Sequence, residues 1–135
     1  MHFLLPTLLL SLFLSACFKD ETISGQAEAS DTWILRSLNG KTVPSRITLT
    51  FPEKGVIAGQ AACNTYRAVQ TAPLPWFEIG PIRATKRACD GLALEQEYLE
   101  VLAKMTLIEL KQTTLLLSSD TGQYLEFAKT QANPI

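Results

Sequence analysis

Beyond residue 32 the apolar positions fall into short extended runs broken by turn residues, with one interruption of helical period. Trp33 to Leu38 is rich in apolar side chains and stops at Asn39 and Gly40, which predicts a first strand closed by a turn. In RITLTF, Ile47, Leu49 and Phe51 alternate with Arg46, Thr48 and Thr50, the pattern of a strand with one face on a core. Pro52 to Gly55 then predicts a turn and VIAGQA a returning strand, so that the two form a hairpin. LPWFEIG carries Trp76, Phe77 and Ile79 between prolines that favour a sheet edge, and Trp76 and Phe77, like Trp33, are read as core residues rather than ligand platforms. Leu107 to Leu110, Leu115 to Leu117 and YLEFA, the last two separated by SSDTGQ, predict three closing strands.

From Leu92 to Met105 the period changes. Leu94, Tyr98, Val101, Leu102 and Met105 recur at three and four, which predicts an amphipathic helix. Asp90 is the expected N-cap, Glu95 and Glu97 a solvated helix start, and Glu100 with Lys104 a surface pair contributing a few tenths of a kcal/mol. One helix within a mainly antiparallel meander makes a single small α+β domain.

The first residues, MHFLLPTLLLSLFLSA, are almost wholly apolar, yet Pro6, Thr7, Ser11 and Ser15 interrupt them. A spanning helix needs roughly 18 to 20 apolar residues, so a secretory signal ending in small residues is the better reading. Leu14, Ser15, Ala16 and Cys17 resemble the lipobox of bacterial lipoproteins. That resemblance implies cleavage before Cys17, a lipid on its thiol and attachment to a membrane, with Phe18 pointing to the outer membrane and a domain facing the periplasm. His2 stands where such signals usually carry Lys or Arg. The expected organisation is a signal at 1–16, a lipidated cysteine and flexible tether at 17–31, the domain at 32–128 and a tail at 129–135. About 13 flexible tether residues would reach roughly 20 Å.

Charge adds little: 12 Lys and Arg oppose 13 Asp and Glu in a chain of 135 residues. No electrostatic footprint for nucleic acid follows. The chain has 3 cysteines. With Cys17 assigned to lipid, Cys63 and Cys89 remain for pairing in an oxidising compartment, the alternative being two buried thiols. A bridge there would stabilise the fold by roughly 3 to 4 kcal/mol. The only histidine, His2, lies in the signal, which removes histidine acid–base and nucleophile pairs and leaves too few ligands for a metal. No cofactor motif is present, and the expectation is a non-enzymatic monomer.

GQAACNTY, then ATKRACD, then EQEYLEVL, between the ends WILRSLNGK and LLLSSDTGQYLEF, resemble the META domain, also called the HslJ-like domain. Ala62 and Ala68 depart from the family's pattern, which has glycine there. If those positions need positive φ, alanine would cost about a kcal/mol or more. The resemblance implies an envelope lipoprotein with a stress-related or structural interaction role and no general reaction. A disulfide would bring Asn64, Tyr66 and Arg67 beside Arg83, Lys86 and Arg87 as a polar, cationic patch for an envelope protein or an anionic ligand. The plainer reading makes Asn64 a turn residue, Tyr66 a packed ring and the basic groups solvated. The runner-up function is a small inhibitor of a cell-wall hydrolase or protease.

Overall fold

The computed structural model describes residues 19–130, so the apolar N-terminus, Cys17 and the last five positions lie outside the described residues. In chain order a 3₁₀ turn at Ile23–Gly25 precedes β1 (Trp33–Leu38), β2 (Lys41–Thr42), β3 (Thr48–Leu49), β4 (Val56–Gln60), β5 (Thr65–Val69) and β6 (Arg83–Ala84). The helix α1 (Leu92–Ala103) follows, then β7 (Leu107–Leu110), β8 (Thr114–Ser118) and β9 (Tyr124–Lys129). The larger sheet runs β2-β1-β9-β8-β7 with β3 also on β1, and the smaller runs β4-β5-β6. Every pairing is antiparallel, in keeping with the α+β expectation.

Burial follows the alternation. Trp33 and Leu35 of β1, Leu115 and Leu117 of β8, and Leu125 and Phe127 of β9 all point inward. Ile57, Tyr66 and Ala68 on the inner face of the small sheet join the same cluster, as do Tyr98, Val101 and Leu102 of α1. Full burial of each large apolar side chain contributes about 1.5 to 3 kcal/mol, so this shared interior is what holds the two sheets together.

Five expectations are corrected. The hairpin of RITLTF with VIAGQA shrinks to a bridge between Thr50 and Ala58, because Thr48 and Leu49 pair instead with Ile34 and Trp33 of β1. The chain thus leaves one sheet and enters the other at Thr50. LPWFEIG is not a strand: Leu74 and Pro75 form a turn and the stretch after it is bonded only at intervals, with Phe77 N–H donating to Thr106 and Ile108 N–H to Pro75. Along it Phe77 is buried while Trp76 is 57% exposed, because consecutive side chains of an extended chain take opposite faces. Asp90 does not cap α1; Gly91 holds the cap position without a side-chain bond. Nor do residues 20–27 behave as a tether. The Asp20 carboxylate accepts from the Thr22 N–H and from the Thr22 and Ser24 hydroxyls, which winds the turn that buries Ile23 at 1% exposure. At the other end Lys129 belongs to β9 rather than to a tail.

Candidate functional site

A tight turn joins β4 to β5, closed by the Ala61 N–H on the carbonyl of Asn64. Cys63 in that turn is disulfide-bonded to Cys89, with the two Cα atoms 5.7 Å apart. Glu95, in the first turn of α1, aims its carboxylate into the same place. Its Oε1 accepts from the backbone N–H groups of Cys63 at 2.9 Å and Asn64 at 2.7 Å, and its Oε2 from Asn64 Nδ2 at 2.6 Å. Asn64 then reaches outward: Nδ2 also donates to the Arg87 carbonyl, while Oδ1 accepts from Arg87 N–H and the Thr85 hydroxyl. Turn, helix and the 85–89 segment are therefore joined by one amide and one carboxylate as well as by the disulfide.

Burial pushes the Glu95 carboxyl up, but the bonds from the Asn64 side chain and the two backbone N–H groups outweigh it and leave the group below its ordinary value. It stays charged and fully occupied. Behind it, Tyr66 and Tyr98 meet edge to face with ring centroids 5.7 Å apart. The Tyr66 hydroxyl donates to the Thr48 carbonyl at 2.6 Å, so Tyr98 supplies the proton for the 2.7 Å bond between the hydroxyls. Burial raises both phenols above their ordinary value. A Cβ on Gly59 would lie 2.8 Å from the Tyr66 oxygen and against the Thr48 carbonyl, so this crossing needs glycine.

The six residues expected to form a binding patch divide. Asn64 and Tyr66 are 3% exposed and their polar atoms are taken by the interior, so they present nothing to a partner. Arg67 and Arg83 stand directly opposite each other on the outer face of β5 and β6. Like charges in that relation repel. Arg67 is partnered by Glu53, while Arg83 makes no ion pair among the described residues. Beside them a groove of about 410 Å³ is walled by Val56, Val69 and Pro81, and Val69 is 57% exposed. Lys86 and Arg87 are exposed on the segment that Asn64 clamps. Among the described residues no group of three His, Cys, Asp or Glu side chains could hold a metal ion, and no helix is long and apolar enough to cross a membrane.

A family model of the META domain matches residues 26–132, most of the chain. The chain belongs to the META-domain family. Its fold is similar to an NMR structure of a protein from Burkholderia xenovorans, at 19% identity over 82% of this chain and 88% of that one, with a TM-score of 0.61. It is also similar to the crystal structure of a DUF4847 family protein from Bacteroides vulgatus ATCC 8482, at 17% identity over 80% of this chain and 98% of that one, with a TM-score of 0.63. At such identities the likeness is one of fold. None of the curated proteins matches.

Within this META domain, Ala62 and Ala68 sit in ordinary backbone, since Asn39 alone among described non-glycine residues has positive φ. The expected strain at these two alanines is absent, and Ala68 packs as a core residue at 5% exposure. Glu95 is the residue that sequence reading placed wrongly, as solvated. The signal was present: Glu95 lies three before Tyr98 and seven before Leu102, on the stripe that faces inward.

Proposed function

We propose that this META-domain protein is a lipid-anchored, non-enzymatic component of the bacterial cell envelope, held in the membrane through Cys17 and acting by binding. The observation that carries the binding reading is the exposed Arg67 and Arg83 pair beside an apolar groove. Arg67 is already engaged by Glu53, which leaves the Arg83 guanidinium at the mouth of the groove to take a carboxylate or phosphate, gripped at two points. The partner chemistry is then an anionic group with an adjoining apolar portion. The buried Glu95, Tyr66 and Tyr98 are engaged in holding the fold and supply no acid, base or nucleophile.

Capture of cross-linked partners from intact cells tests this, comparing wild type with Arg67→Ala and Arg83→Ala. Loss of a partner from both variants is expected, and equal yields would refute the basic face as the contact. Intact mass of natively produced protein tests the anchor separately, since a processed, acylated Cys17 is required.

A second reading, an inhibitor of a cell-wall hydrolase or protease, draws on residues 85–90. All are exposed, yet the disulfide and the Asn64 clamp hold them in one conformation, as a rigid inhibitory loop requires. Inhibition of such a hydrolase by the purified protein, lost on Arg87→Ala, would decide for it.

A further inference from the structure

We infer that one end of the domain, made by the docked N-terminal segment and the crossover at 72–76, rests on the bilayer, with Trp76 and Leu107 in the interfacial layer. The inference rests on the anchor at Cys17 and goes beyond it by assigning an orientation.

Docking of residues 20–27 shortens the leash. The Ser24 hydroxyl accepts from the Gly55 N–H, the Glu21 carbonyl accepts from the Leu74 N–H, and Ile23 is buried, so the chain is already part of the domain at Asp20. Only two residues, Phe18 and Lys19, and so three Cα-to-Cα steps, then separate the anchored Cys17 from folded structure. Even fully extended they span no more than about 10 Å, half the roughly 20 Å of a free tether. A domain on so short a leash cannot tumble clear of the headgroups, and the end from which the leash emerges must face them.

That end carries the right chemistry. Trp76, two residues beyond the Leu74 bond, is 57% exposed, and its bridge partner Leu107 is 38% exposed. Pro73 and Pro75 are exposed on either side of Leu74. An exposed tryptophan with an aliphatic neighbour is the residue set that settles at a membrane interface, where the ring is buried and the indole N–H stays wet. Lys19 and Lys54 near the leash are balanced by Asp20 and Glu21, so insertion of the ring rather than net charge is the contact.

The test couples the chain beginning at Cys17 to phosphatidylcholine vesicles bearing a maleimide lipid. Cys17 is its one free thiol when Cys63 and Cys89 are bridged. Trp33 is buried, so aqueous iodide reports on Trp76. The expected result is a blue shift of emission and loss of iodide quenching on coupling, both absent in Trp76→Phe. Quenching unchanged by coupling would overturn the orientation while leaving the anchor intact. An unacylated intact mass for natively produced protein would instead overturn the anchor, and the orientation with it.

Discussion

Glu95 holds Asn64 from 31 residues further along the chain, one carboxylate oxygen on its backbone N–H and the other on its side-chain amide. The helix is thereby fastened to the turn that carries the disulfide. A charge read locally as solvated is the bond that joins the helix to the small sheet.

Replacing Glu95 by Ala leaves the Cys63 and Asn64 N–H groups without their acceptor. Each buried donor so orphaned costs about 1 to 3 kcal/mol, so a loss of roughly 3 kcal/mol is expected in denaturant unfolding. Glu95→Gln, which keeps one acceptor, should lose less. Equal stability of all three proteins would remove Glu95 from this role.

Acid should act through the same group. Its folded pKa lies below the ordinary 4.5, so its stabilising contribution is complete above that value and drains away as pH falls through the lower folded value. Unfolding midpoints in urea should therefore hold steady down to about pH 5 and decline below about pH 4. Glu95→Gln should flatten that decline, and an unchanged acid slope in the variant would assign it elsewhere.

Gly59→Ala forces a methyl group against the Thr48 carbonyl and the Tyr66 hydroxyl. Overpacking together with a lost hydrogen bond should destabilise by about 2 to 4 kcal/mol. Thermal unfolding measures the first effect. Tyrosine absorbance on titration with base measures the second, because Tyr66 released from its partner should ionise earlier than in the wild type.

Removing the disulfide with a Cys63→Ser, Cys89→Ser pair opens a sequence separation of 26 residues. Loop-closure entropy places the loss at roughly 3 to 4 kcal/mol. Because Glu95 and Asn64 still join the same segments, the double variant should remain folded, and a collapsed near-ultraviolet dichroism spectrum would show that they are insufficient.

Much of the secondary structure was readable because it is local. Period-two runs marked β1, β4 and the β7 to β9 meander, and the three-and-four spacing marked α1. The six-residue patch was legible only in part, since Arg67 and Arg83 lie at the surface whereas Asn64 and Tyr66 turn inward. Trp76 and Phe77 were both read as packing residues, although adjacent side chains of an extended chain cannot share a face. The leash carried a sign in Asp20, Thr22 and Ser24, whose spacing suits a side-chain-capped turn, but a single Ile23 gives no periodicity to follow.

By itself, then, the sequence determined which segments are extended, which is helical and which side of each is apolar, because these follow from backbone geometry over a few residues; which two cysteines could pair followed from their number. Only tertiary structure decided that the chain changes sheets at Thr50, that Glu95 lies inside, and that the N-terminal segment is part of the domain. Such choices depend on which distant group satisfies a buried donor or covers an apolar side chain. No window of neighbouring residues contains that partner.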